Sequence, residues 1–288
     1  MHKTFDITGP AQIEVRLASG EIVVDPTLEG QIEVELTAHD DESQRLVDDA
    51  RVELNDGQLI VDVPNKRGGF SFSLGFTRQG ISCRIRCPRA STLSVRSKSA
   101  DVVARGTLGG LNVSTASGDV EATHVEGGVN IKSASGDTRV QEIGGSANVQ
   151  SASGDIELEI VRGPVNVNSA SGDVTIGEAY DNVNANTVSG DQEHGAVMRG
   201  KVAAHSVSGD VTIAVRRGSR VYLDCNTVSG DSSSELELSS DAPAGDGPLV
   251  EIKAKTVSGD IKITRAAAPV QNDGSDGGSP TTAQEVHA

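Results

Sequence analysis

Apolar and polar residues alternate in short runs through most of the chain. Leu111 and Val113, Val129 and Ile131, Val165 and Val167, and Leu223 and Cys225 each precede a polar tripeptide. Val120 and Ala122, Ile156 and Leu158, Val174 and Ile176, Val211 and Ile213, and Ile261 and Ile263 each follow one. A period of two predicts half-buried strands, not helices. The tripeptide between the runs is Ser-Gly-Asp, which begins at Ser117, Ser135, Ser153, Ser171, Ser189, Ser208, Ser229 and Ser258. The steps between copies are 18, 18, 18, 18, 19, 21 and 29 residues, and a degenerate copy, Ser99-Ala100-Asp101, lies 18 residues upstream. Second turns are marked by Glu126-Gly127-Gly128, Ile143-Gly144-Gly145 and Arg162-Gly163-Pro164.

A fixed short period is the mark of a solenoid. Eighteen residues are too few for a β-α-β unit, which takes about 30, but suit one coil of strand, corner, strand and turn. Nine such coils, stacked about 4.8 Å apart, make a rod about 40 Å long. Glycine at each corner admits a positive φ, so Gly154 is expected there. Asp and Ser can close the turn through nearby backbone groups. A Ser or Thr precedes each tripeptide by two residues (Thr115, Ser133, Ser151, Ser169, Thr187, Ser206, Thr227 and Thr256). This column of hydroxyls is expected to pass hydrogen bonds from coil to coil. The fold class is therefore all-β: a single-stranded parallel β-helix with 18-residue coils. Residues 91–265 form the regular solenoid in this reading, and residues 1–90 a β-rich cap with irregular first coils. Runs such as Gln12–Leu17 and Gln31–Thr37 alternate without the strict period. Residues 266–288, rich in Gly, Pro, Ser and Thr, read as a disordered tail. The coil Glu251–Arg265 would then be the last of the rod, with an unpaired edge suited to end-to-end stacking.

The segments Val63-Pro64-Asn65-Lys66-Arg67-Gly68-Gly69 and Cys87–Val102, with the Ser-Gly-Asp-Val units after them, resemble a known group. These are the bacterial β-strand-repeat proteins of unknown function labelled candidate adhesins, related to adhesin-head-like β-solenoids. The resemblance spans roughly Val61 to Thr264. It implies a right-handed β-helix and supplies no catalytic residue.

Composition narrows the functional classes. Aromatic residues make up 2% of the chain, so the core must be narrow and filled by Val, Ile, Leu and Ala. A net charge of −16 opposes binding to nucleic acid or to an anionic membrane surface by charge alone. No run approaches the roughly 20 apolar residues of a membrane helix, and the start has no apolar stretch suited to a signal peptide. A cytoplasmic location is expected. Cys83, Cys87 and Cys225 suggest small buried hydrophobes, not a disulfide framework.

The repeated acids are the obvious candidate chemistry. Asp119, Asp137, Asp155 and Asp173, with their counterparts from Asp101 to Asp260, would stack about 5 Å apart and repel by roughly 0.8 kcal/mol per pair in water. That column is a weak candidate for Ca²⁺, with solvated turn residues as the simpler reading. Glycoside cleavage needs two acids in unequal settings across a cleft, and identical repeats do not supply them. His124, His194 and His205 lack metal-ligand spacing, and no nucleotide or nucleophile motif occurs. The period breaks after Asp191, and the extra residues can be placed at the second turn. That edge gathers Arg162, Arg199, Lys201, Arg216, Arg217 and Arg220. In repeat proteins, insertions on one face often mark the binding face, so Arg199, Lys201, Arg216, Arg217 and Arg220 form a candidate partner-binding edge. The expectation is a non-enzymatic scaffold or interaction module with no cofactor. It would meet a protein partner or a second copy, with no nucleic acid and no integral membrane segment. A self-assembling, bactofilin-like structural protein and a cell-surface adhesin are the alternatives.

Overall fold

The computed structural model describes residues 1–64, 80–236 and 247–266. Strands β1 (His2–Asp6), β2 (Gln12–Asp25) and β3 (Gln31–Ala38) come first, followed by helix α1 (Asp41–Asp48), β4 (Arg51–Asn55), β5 (Gln58–Asp62) and β6 (Ile81–Arg86). The long β7 (Thr92–Leu108) opens the regular stack. One wall then takes β8 (Gly110–Thr115), β10 (Val129–Ser135), β12 (Ala147–Ser153), β14 (Val165–Ser171), β16 (Val183–Ser189), β18 (Gly200–Ser208), β20 (Arg220–Ser229) and β22 (Leu249–Ser258). The other takes β9 (Val120–Val125), β11 (Thr138–Ile143), β13 (Ile156–Val161), β15 (Val174–Ala179), β17 (Gln192–Val197), β19 (Val211–Val215), β21 (Ser232–Ser234) and β23 (Ile261–Arg265). The result is a parallel β-solenoid of two strands per coil, as the alternation predicts. Val129 lies beside Ala147 and Thr138 beside Ile156, each a shift of 18 residues. Inward positions such as Ile131, Val149, Leu158 and Val167 are fully buried and form a continuous apolar core between the walls. Interior strands are paired on both sides, which gives most of their backbone donors and acceptors partners; the register shifts between His194 and Val197 and between Ala104 and Thr107.

The corner glycines explain the tripeptide. Seven of them, from Gly136 to Gly259, have φ between +113° and +144°. A Cβ on Gly154 would lie 2.3 Å from the Gly136 carbonyl oxygen, so both conformation and space demand glycine. The hydroxyl column behaves differently from the expectation. Ser133, Ser151 and Ser169 donate within their own coil, to the carbonyls of Ser135, Ser153 and Ser171. Only Thr227 and Thr256 reach a neighbouring coil, donating to the Gly259 and Gly209 carbonyls. The carboxylates carry the cross-coil bonds instead.

Two features of coil order depart from the sequence reading. The first corner lies far earlier than Ser99. Ser19, Gly20 and Glu21 of β2 are in register with Ser99, Ala100 and Asp101 of β7, so β2 is a full coil of the stack. On the side of β2 away from β7, β5 and β6 extend the walls in parallel, and β4, β3 and β1 then add antiparallel. Helix α1 is capped by Asp40, whose carboxylate accepts from the Ser43 amide, and packs near β3. The second departure is at the other end. β22 pairs with both β18 and β20, and β23 with both β19 and β21. The coil 249–265 is therefore not the end of the rod; it is inserted between the two coils that precede it in sequence. Its edges are paired on both sides, and the terminal coil is formed by β20 and β21. The identical local sequences of the corners at Ser229 and Ser258 hide this order. Of the tail read at residues 266–288, Ala266 is buried and donates its amide to the Val215 carbonyl, and residues 267–288 lie outside the described residues.

Candidate interaction surface

The Asp column is a hydrogen-bonded ladder. Each Oδ1 accepts the backbone N–H of the Asp in the next coil: Asp101 from Asp119, Asp119 from Asp137, Asp137 from Asp155, and Asp155 from Asp173. The run continues through Asp191, Asp210 and Asp260 to Asp231, at 2.8–2.9 Å. One oxygen of each carboxylate thus serves the backbone, which offsets the repulsion between neighbours. Among the described residues, no three His, Cys, Asp or Glu side chains are gathered as a metal site.

The outer face of the first wall carries a second ladder that the sequence reading missed. Asn148 donates to Asn130, Asn166 to Asn148 and Asn184 to Asn166, at 2.9–3.1 Å. Asn186 donates to Asn168 in the adjacent row. The signal was present as Asn at intervals of 18 from residue 112 to residue 184. Beside this adjacent row, and not beside the four-Asn ladder, runs a shallow groove of about 590 Å³. Lys132, Gln150, Asn168 and Asn186 line one side, Ala152, Ala170 and Val188 the other. The apolar side continues along the rod: register places Val188, Val207, Val257 and Val228 in successive coils, and all four are exposed. The opposite wall is acidic, with Glu121, Glu157 and Glu159 around Arg139.

The predicted basic edge is assembled at the second turns of the last coils. Arg199 Nε donates to the Tyr180 carbonyl at 2.9 Å, and Arg220 Nε to the Gly247 carbonyl at 3.0 Å. Lys201 pairs with Glu251 at 3.2 Å and holds that carboxyl below its ordinary range. Arg216 and Arg217 are exposed, and Arg265 donates to the Arg216 carbonyl. Arg162 lies apart in role: it binds Glu142 at 2.7 Å and stacks over Tyr180 at 5.4 Å. Its hydrogen bond lowers the Glu142 carboxyl.

The buried thiols and the buried imidazole are held in their neutral forms. Burial pushes the Cys83 thiol up to about 12 and Cys87 up to about 11, so neither is a thiolate at neutral pH. His194 sits in the core with neither ring nitrogen partnered, and burial pushes it down to about 4. Beside it, Gln192 donates to Thr187 Oγ1 and to the His205 carbonyl.

Residues 11–264, spanning both walls and the cap, match the Toastrack DUF4097 family model. The chain belongs to the Toastrack DUF4097 family. Solved structures similar to this Toastrack chain include a candidate adhesin from Bacteroides fragilis, 16% identical, covering 91% of this chain and 96% of that one with a TM-score of 0.49. A candidate lipid-binding protein from Parabacteroides distasonis is 13% identical, covers 92% and 96%, and has a TM-score of 0.45. A candidate cell adhesion protein from Clostridium sporogenes is 10% identical, covers 92% and 99%, and scores 0.28. A search of curated proteins finds no match. No helix among the described residues is long and apolar enough to cross a membrane.

Proposed function

We propose that this Toastrack chain is a non-enzymatic scaffold that holds an extended segment of a protein partner against its amide-lined wall. The groove between the amide row and the Ala152–Ala170–Val188 ridge carries this reading. In the row that lines the groove, Asn186 and Asn168 are tied to each other across coils and held in place before a partner arrives, so little of their side-chain entropy is lost on docking. Gln150, Asn168 and Asn186 keep further hydrogen-bonding capacity, and the adjoining ridge supplies apolar area. Its open, repetitive shape suits a linear partner better than a small substrate, which favours an enclosed pocket.

The reading places the protein in the cytoplasm, where three unpaired thiols are at home. Substituting Asn168→Arg together with Ala170→Glu should abolish capture of partner proteins from cell extract while leaving the melting temperature within a few degrees. Retention of the same partners would remove the groove from the mechanism. Fractionation tests the adhesin alternative, which requires the protein outside the cell.

A further inference from the structure

Among the described residues, β20 pairs only with β22, and β21 only with β23. The outer edge of the terminal coil therefore has no described strand beside it. Its inward side chains show the consequence. Val221, Leu223 and Cys225 are only partly buried, whereas their register partners Val250, Ile252 and Ala254 are fully buried. Exposed large hydrophobics gather here too: Tyr222, Leu249 and Val257 are about half exposed, and Val228 is 81% exposed. The Asp ladder also ends here. Asp231 gives its amide to Asp260 Oδ1, but no further coil offers an amide to its own exposed carboxylate. Across the coil, on the turn that climbs from β19 past the inserted coil to β20, stand the exposed Arg216 and Arg217, with Arg220 at the start of β20.

We propose that a second copy of the chain seats on this coil, tail to tail, about a two-fold axis normal to the two walls. The other end of the rod offers no matching surface, because antiparallel β1, β3 and β4 cover it. The edge strands there are short and carry Lys3, Asp6, Arg51 and Glu53, a pattern that discourages edge pairing. Head-to-tail growth into a filament therefore lacks one of its two faces, while a two-fold contact needs only the open coil and closes on itself. Rotation about an axis normal to the walls sets β20 antiparallel to β20 of the second copy, and β21 to its β21. Inward side chains stay inward, so Val221, Leu223 and Cys225 complete a core continuous through both rods.

Charge complementarity selects this arrangement. Antiparallel pairing carries the Ser229–Asp231 corner of one copy to the Arg216–Arg220 turn of the other, and the symmetry repeats the contact. The unfilled Asp231 carboxylate then meets guanidinium donors, twice per dimer. A parallel stack would instead set Asp against Asp and Arg against Arg. The basic edge gains a role in which its occupant is the last acid of the second copy.

Light scattering on the size-exclusion effluent of the full chain tests this. The expected mass is twice 29.7 kDa at micromolar concentration, falling toward the monomer with dilution and with added salt. Asp231→Arg and Arg217→Asp should each weaken the dimer by about tenfold or more, and the two together should restore it to within a few-fold of the parent. Rescue separates lost pairing from failure of the end coil to fold. Cys225, alone among the thiols in being partly exposed, should react with a thiol reagent about tenfold more slowly in the dimer than after dilution. A monomer at every concentration overturns the proposal. So does a dimer indifferent to both charge changes, or a Cys225 shielded equally at all concentrations.

Discussion

The corner glycine and the corner aspartate have separable roles at the scale of single residues. Gly154 combines φ +115° with a backbone oxygen 2.3 Å from where a Cβ would stand. Gly154→Val should therefore cost about 2–4 kcal/mol, since a β-branched residue meets both conformational strain and a backbone collision. Urea unfolding of the variant checks this, and an unchanged midpoint would remove glycine from the account of the corner. Asp155 is a different case. Its Oδ1 accepts the Asp173 amide at 2.9 Å, while its charge faces those of Asp137 and Asp173. Asp155→Asn keeps an acceptor oxygen and drops one charge from the column, so it should be neutral or slightly stabilising. Asp155→Ala leaves the amide without its acceptor and should cost about 1 kcal/mol. If Asn proves as costly as Ala, the carboxylate charge has a role beyond the ladder.

At the scale of the element, β17 breaks the apolar pattern of its neighbours. Gln192 lies between Val174 and Val211, and His194 between Ile176 and Ile213. The His194 imidazole stays neutral in the fold because burial has lowered it to about 4, against 6.5 when unfolded. Between those values the unfolded chain binds a proton that the folded chain refuses. Stability is therefore full above pH 6.5, falls as the pH drops through the window, and stops falling from this cause below about pH 4. The contribution at stake is about 3 kcal/mol. Comparing denaturant midpoints at pH 7 and pH 4.5 for the parent and for His194→Ile isolates it, since other titrating groups are common to both. The variant should be the more stable at pH 7 by about 1–2 kcal/mol, having lost two unpartnered buried nitrogens, and the gap should widen at the lower pH. A gap independent of pH would mean that His194 is solvated in the fold.

Elements of this kind also mark what was readable in the sequence. Strands and corners were legible because a two-residue alternation and a glycine-dependent corner recur at one interval. The first coil was not, because Gly20 is followed by Glu21 in place of Asp, and the cap interrupts the chain before its neighbour Ala100. The asparagine ladder was legible in principle from its spacing, but alternation alone treats Asn as any outward polar residue. The acceptor role of the Asp column needed the coil-to-coil geometry, which no local motif encodes. Which residues of the basic edge are engaged was not legible, because Lys201 and Arg220 meet Glu251 and Gly247, placed beside them by the inserted coil.

That insertion is the property of the whole molecule with the clearest consequence. In a solenoid each coil touches only its neighbours, so stability is close to a sum of coil and interface contributions. The coil 249–265 sits directly on the coil 200–215, and the chain reaches it only after building one coil farther out. At the turn the two passages are already in contact. Arg220 N donates to the Pro248 carbonyl at 3.0 Å, and a Cβ on Gly247 would meet the Gly218 oxygen. Excising residues 220–246 would thus join Ser219 to Gly247 with little backbone movement and leave a solenoid in which every coil follows its neighbour in sequence. Such a chain should keep the parent's β-sheet circular dichroism and melt within about 5 °C of it, because one terminal interface is lost and every interior one is kept. Its Asp ladder would end at Asp260. Failure of the shortened chain to fold would mean that β20 and β21 hold the inserted coil in place, and that the outer coil must form before the inner one can dock.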